Sequence, residues 1–201
     1  MSPEMRIGGG IWKGRVISTF GGGYRPTAGI VKKSLFDILA LEIEGSRFLD
    51  LFAGSGAVGL EALSRGADFV CFVENSPSRA NVLRKNIERL NSERGGTEVL
   101  AMDYAYALQA LMKRRENFDI IYIDPPYSGV VPSRILGDIA ASGILDPDGL
   151  LVFESSRKDI RKILETMPDE LYPLRERDLG GTALIFIRWR GRRDADSEKP
   201  D

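Results

Sequence analysis

Asp50-Leu51-Phe52-Ala53-Gly54-Ser55-Gly56-Ala57-Val58-Gly59 completes a short apolar run, Phe48 to Phe52, and opens a segment with helical spacing. Glycines 54, 56 and 59 satisfy G-x-G-x-x-G, which permits a tight strand-to-helix turn and lets a ligand approach the backbone closely. Glu74 lies twenty residues beyond Gly54, at the end of the next apolar run, where a carboxylate accepts ribose hydroxyls. On spacing alone this fits a nicotinamide dinucleotide or S-adenosyl-L-methionine. Asp50 tilts the choice toward the latter, because a carboxylate just before the turn suits a cationic or amine-bearing ligand better than a pyrophosphate.

Outward from this loop, the chain alternates in a regular way. Apolar runs Phe48 to Phe52, Phe69 to Val73, Glu98 to Ala101, Asp119 to Ile123 and Leu150 to Phe153 predict strands, separated by helices over about 57–65, 77–91, 105–115, 132–142 and 157–166. Near-continuous apolar strands between amphipathic helices imply a mostly parallel sheet covered on both faces. Leu171 to Arg177 and Ala183 to Trp189, joined by Asp178-Leu179-Gly180-Gly181, read as a closing antiparallel hairpin. The expected fold is α/β, a doubly wound, Rossmann-like sheet of seven strands with an antiparallel final strand. Before it, Ile7 to Trp12 and Arg15 to Phe20, broken by Gly8-Gly9-Gly10 and Gly14, suggest a small N-terminal β-hairpin arm, and Gly21-Gly22-Gly23 a joint. Thr27 then caps a helix whose stripe is Val31, Leu35, Ile38 and Leu39. The division is an arm over 1–26, a catalytic domain over 27–190 and a disordered polar tail over 191–201.

Two more positions converge on the glycine loop. Asp103, after the third strand, faces the same crevice and suits an adenine amino group, and Asn75 beside Glu74 either lines the pocket or starts the turn into the next helix. The fourth strand ends in Asp124-Pro125-Pro126-Tyr127. Two prolines fix φ and lack N–H donors, leaving the Asp124 side chain and the Pro125 carbonyl as outward acceptors beside an aromatic ring. An exocyclic nucleobase amine needs this arrangement. Two acceptors gripping its N–H groups favour a pyramidal nitrogen whose lone pair can attack a methyl sulfonium in line, while Tyr127 stacks on the base.

Composition narrows the chemistry further. The chain has 201 residues with 43% apolar and 28% charged, enough for a substantial core. No run approaches the roughly 18 to 20 apolar residues of a membrane span, and no signal peptide is evident, so a cytoplasmic location without membrane association is expected. There is no histidine, which removes Ser-His-Asp and Cys-His arrangements and imidazole ligands. The single cysteine, Cys71, sits in an apolar strand and reads as core, and no metal site is expected. Net charge is −1, yet residues 1–33 hold six basic residues against Glu4 alone, an excess of +5 that leaves −6 elsewhere. That excess marks either an anion-binding face or a solvated basic arm.

At these residues the chain resembles the class I S-adenosylmethionine-dependent amino methyltransferases. It is most similar to the RsmD-type family, which methylates the N2 amine of a guanine in 16S ribosomal RNA. The resemblance runs over about residues 5 to 190. It is carried by Met5-Arg6-Ile7, Gly10, Trp12-Lys13-Gly14-Arg15, Arg25-Pro26-Thr27, Leu35-Phe36, Leu49 through Gly56, Gly59 through Arg65, Glu74, Asp124 through Tyr127 and Glu154-Ser155. W-K-G-R and R-P-T are the family-specific signatures, and the triple glycines at 8–10 and 21–23 depart from the pattern.

The resemblance implies S-adenosyl-L-methionine as cofactor, with S-adenosyl-L-homocysteine as product. Asp50, Ala53, Gly54, Ser55, Gly56, Glu74, Asn75 and Asp103 fall at cofactor-binding positions, and Asp124, Pro125, Pro126 and Tyr127 at the catalytic loop. The substrate implied is 16S ribosomal RNA within a partly or fully assembled 30S subunit, met by a monomer. Arg6, Trp12, Lys13, Arg15 and Arg25 then become RNA contacts, the cations on phosphates and Trp12 or Tyr24 on an unpaired base, unless those rings only cover the sheet edge. Thr27 and Arg25 either join them or close over the cofactor. Glu154 ends another strand at the same rim, where it assists the target base or simply terminates the strand. The competing readings are an N6-adenine methyltransferase of DNA or RNA, which also uses D-P-P-Y, and an NAD-dependent oxidoreductase.

Overall fold

The computed structural model describes residues 4–19, 26–90, 96–126 and 131–190, and of residues 26–28 the backbone only. Strands β1 (Glu4–Arg6) and β2 (Val16–Ser18) pair antiparallel, Met5 opposite Ile17. Helix α1 (Pro26–Ile38) follows, then a single 3₁₀ turn over Leu39–Leu41. The helix starts at Pro26, so Thr27 lies in its first turn and is not its cap. Proline suits that place, since its missing N–H would have no helical partner there.

From there β3 (Arg47–Asp50), α2 (Ala57–Ser64), β4 (Phe69–Val73), α3 (Pro77–Leu90), β5 (Gly96–Leu100), α4 (Tyr104–Lys113), β6 (Phe118–Ile123), α5 (Pro132–Ser142), β7 (Leu145–Ser156) and α6 (Arg157–Glu165) alternate. The chain closes with β8 (Leu171–Asp178) and β9 (Thr182–Trp189). The main sheet has seven strands in the order β5-β4-β3-β6-β7-β9-β8. The pairs from β5 through β7 are parallel, and β9 runs antiparallel to both β7 and β8.

Alternation along each strand divides the core between the two faces. Phe48, Ile120, Tyr122, Leu150, Val152, Leu184 and Phe186 face one side with α1 and α2 residues such as Leu35, Phe36 and Leu60. Leu49, Ile121, Ile123, Leu151, Phe153, Ile185 and Ile187 face the other with α4, α5 and α6 residues such as Leu111, Ile135 and Ile163. Cys71 is buried on this second face. The N-terminal hairpin belongs to the first core: Ile7, Trp12 and Ile17 are buried in it. No helix among the described residues is long and apolar enough to cross a membrane.

Strand order reverses at the centre. The chain runs from β3 outward through β4 to β5, then crosses back to place β6 on the other side of β3. The loops after β3 and β6 therefore part at their carboxyl ends, which opens the crevice where a doubly wound sheet takes its ligand.

Candidate active site

The glycine loop fills the gap between β3 and α2. Gly54 and Gly56 have φ of +56° and +83°, the left-handed region that L side chains disfavour. Their surroundings differ. A methyl on Gly54 would meet no protein atom within 4 Å, whereas one on Gly56 would stand 2.3 Å from Leu83 Cδ1. Gly59 is tight for a third reason, since a methyl there would lie 2.3 Å from the Phe72 ring and push α2 off β4. Ala53 fixes the loop to the neighbouring strand by donating its N–H to the Val73 carbonyl at 2.8 Å, and Ser55 accepts from Asn86 Nδ2 at 2.9 Å.

Glu74, only 5% exposed, holds this loop from the end of β4. Its Oε2 accepts the Gly54 N–H at 2.9 Å and its Oε1 the Ser76 N–H at 2.7 Å. Each oxygen keeps a further lone pair for a ligand hydroxyl. Asp50 is placed differently from the sequence expectation. It is 2% exposed beneath the turn, where Oδ2 accepts the Gly59 N–H at 3.0 Å, and it does not line the ligand cavity. Burial, opposed by that bond and reinforced by the Glu74 charge, pushes its carboxyl from 3.8 up to about 7. Asp50 thus holds the loop's shape from below.

A cavity of about 280 Å³ joins the loop to the end of β6. It brings together Gly54, Glu74, Asn75, Asp103, Asp124, Pro125 and Pro126, which the chain separates by up to 72 positions. Its apolar walls are Leu51, Phe52, Val73, Met102 and Tyr104. The Phe52 and Tyr104 rings meet at 5.5 Å, and the Tyr104 hydroxyl, pushed up to about 12 by burial and by Asp138, donates to that carboxylate at 3.0 Å. Asp103 caps α4 by accepting the Ala105 N–H at 2.9 Å and also lines the cavity. Aromatic walls for a planar base, a carboxylate beside an open glycine backbone for ribose hydroxyls, and a further carboxylate match an adenosyl group in chemistry.

Asp124 stands at the wall between this cavity and a second one of about 210 Å³, lined also by Pro125, Pro126, Pro132, Glu154, Asp159 and Lys162. The Asp124 loop and Glu154 side of this second chamber was legible in the sequence, whereas the side built by the start of α5 and by α6 was not, because those helices carry no motif. Among the described residues, no group of three or more carboxylate, cysteine or histidine side chains is placed to hold a metal ion. Tyr127, Tyr24, Arg25 and the Thr27 side chain lie outside the described residues, as do the glycines at 21–23 and the tail over 191–201.

The N-terminal cations are exposed at Arg6, Lys13 and Arg15. Arg6 donates to the Gly14 carbonyl at 3.0 Å, while Arg15 caps the end of α3 through the Leu90 and Arg89 carbonyls at 3.0 and 2.7 Å. Trp12 corrects the expectation of a stacking ring. It is 6% exposed, packed in the first core with its backbone N–H on Ser64 Oγ at 2.9 Å, so its faces are taken by protein.

Comparison with known proteins agrees with this geometry. The sequence profile described as "Conserved hypothetical protein 95" matches residues 5–188. The chain is 30% identical to "Ribosomal RNA small subunit methyltransferase D" of Escherichia coli, over 98% of this chain and 96% of that protein. It is 34% identical to the protein of the same name in Haemophilus influenzae, over 77% and 80%. The solved structure of a hypothetical protein from Thermus thermophilus superposes with a TM-score of 0.73 at 31% identity, covering 92% of this chain and 99% of that one. The chain therefore belongs to the family of conserved hypothetical protein 95, with the ribosomal RNA small subunit methyltransferase D proteins among its relatives.

Proposed function

We propose that this protein is an S-adenosyl-L-methionine-dependent methyltransferase that methylates the exocyclic N2 amine of a guanine in 16S ribosomal RNA, producing S-adenosyl-L-homocysteine. One observation carries the reading: a single cavity runs from the Gly54 and Glu74 pocket to Asp124-Pro125-Pro126, so the acceptor loop faces the space that fits an adenosyl group. The names of the ribosomal relatives supply the substrate class.

Glu74 would hold the ribose hydroxyls and Asp103 the adenine edge, between the walls formed by Phe52, Met102 and Tyr104. When bound, the cofactor supplies an electrophilic methyl on a sulfonium. The chain's own contribution is to orient the amine. Asp124 and the Pro125 carbonyl accept its two N–H groups and turn the nitrogen lone pair toward the donor. The proton is released only after the nitrogen has become cationic, when its loss is easy, and a chain without histidine lacks nothing for that step. Tyr127, two residues past the prolines' start, would stack on the base. Arg6, Lys13, Arg15 and Arg25 would meet phosphates. A monomer acting in the cytoplasm on a partly or fully assembled 30S subunit completes the proposal.

Replacing Asp124 with Ala removes one of two acceptors, so methyl transfer to small-subunit particles should fall at least roughly 100-fold while calorimetry shows that S-adenosyl-L-homocysteine still binds. Undiminished transfer would refute the assignment of that loop. Mapping the methylated base with and without the protein tests the guanine N2 target directly.

A further inference from the structure

The chamber on the far side of Asp124 contains a group that transfer to an amine does not by itself require. Glu154 follows Phe153, the last β7 residue paired with β6, and Asp124 follows Phe153's partner Ile123. The two carboxylates thus leave adjacent parallel strands, about 4.8 Å apart, at the same level, and both line this chamber. Glu154 is fixed in place. Its Oε2 accepts a short hydrogen bond from the buried Tyr122 hydroxyl, which burial and the Glu154 and Asp124 charges hold in its protonated, donating form. The other oxygen is left to meet whatever enters beside Asp124.

We infer that Glu154 reads the acceptor base as guanine, accepting the ring N1–H while the Asp124 loop holds the adjacent exocyclic amine. The inference rests on the guanine N2 reading above and adds the group that selects the base. A flipped base is identified through its Watson–Crick edge. Guanine presents two neighbouring donors there, N1–H and the N2 amine. Adenine and cytosine instead set a ring-nitrogen lone pair beside their amine, and a carboxylate facing that lone pair leaves two acceptors opposed without a proton between them. The Glu154 and Asp124 pair is therefore complementary to guanine and rejects the other two amine-bearing bases.

The test uses a base analogue at the mapped acceptor position in reconstituted small-subunit particles. In 2,6-diaminopurine the 2-amino group is kept but N1–H is exchanged for a lone pair. The unaltered protein should methylate it on the order of 10- to 100-fold more slowly than guanine. In E154Q the side-chain carbonyl can keep the Tyr122 bond while the amide N–H faces the base, so the preference should shrink to near unity or reverse. S-adenosyl-L-homocysteine affinity and thermal unfolding check that the variant is folded. Equal rates on the two bases with the unaltered protein overturn the role of Glu154 whatever the variant does, as does a folded E154Q that retains the original preference. A failure of the unaltered protein to methylate any guanine N2 is distinguishable from both, because it removes the functional reading and this inference with it.

Discussion

At the scale of single residues, the three glycines of the loop between β3 and α2 have separable physical tasks. Gly54 needs its left-handed backbone and lines the ligand cavity, with no protein atom within 4 Å of an added methyl. Gly54→Ala should cost about 1 kcal/mol of stability, from backbone strain alone, yet weaken cofactor binding clearly. Gly56→Ala meets Leu83 Cδ1 at 2.3 Å in addition to its own positive φ, so its loss should be about 3 kcal/mol. Urea unfolding beside calorimetric titration of S-adenosyl-L-homocysteine distinguishes the two patterns, and equal stability losses would contradict it. Asp50 offers a pH signature. Its carboxyl titrates near 7 when folded against 3.8 ordinarily, so between those values the folded state holds the extra proton. Stability contributed by this group is therefore lost as pH rises through that window. Asp50→Asn keeps an acceptor for Gly59 and removes the titration. Relative to the unaltered protein it should gain up to about 4 kcal/mol between pH 4 and pH 8, followed by unfolding at each pH.

At the scale of elements, the link between hairpin, α1 and α2 is a buried carboxylate. Glu61, 1% exposed on α2, accepts the Gly8 N–H at 2.7 Å and pairs with Lys32 Nζ and Arg65 Nε, each at 2.8 Å. Burial pushes its carboxyl up, but these three partners together bring it below 4.5. Glu61→Gln leaves Lys32 buried without its counter-charge and should cost about 3 kcal/mol or more in urea unfolding at pH 7. Because the folded value is depressed, the Glu61 contribution is present above the ordinary carboxylate range and fades as pH falls through the folded value, so the gap between variant and parent should narrow in acid. The element pattern was legible in sequence wherever periodicity was clean: α5 was expected over 132–142 and is Pro132–Ser142, and Phe69 to Val73 is β4. It was less legible at β7, whose Asp146-Pro147-Asp148-Gly149 reads as a turn, although the strand runs from Leu145 with a register shift where it passes β6. The residues gathered at the cavity were legible because each ends a strand or starts a helix. The depth of Asp50, the burial of Trp12 and the Tyr122–Glu154 bond were not, since each depends on which strand lies beside which and on the face a side chain takes.

At the scale of the whole molecule, the charge excess of the N-terminal region looks different once its partners are known. Lys32 is committed to Glu61, Lys33 pairs with Asp37 at 2.5 Å, and Arg15 caps α3. Two of the six cations are thus matched by carboxylates and Arg15 keeps its charge with donors engaged on α3, so the count of charges overstates the cations whose donors are all open to a polyanion. Lys13, exposed at the hairpin loop, makes no ion pair among the described residues, and Arg6 keeps donors beyond its bond to Gly14. If the hairpin meets phosphates, Lys13 is the cation that binds without a structural duty. Lys13→Ala should leave thermal unfolding unchanged while the plot of log affinity for small-subunit particles against log salt becomes shallower by about one unit, the release of one counterion. Arg15→Ala should move both readings, because its guanidinium also satisfies two carbonyls at the end of α3. A salt slope identical in Lys13→Ala and the parent would take the hairpin loop out of the interface, leaving Arg6 and the residues beyond the hairpin to account for RNA attachment.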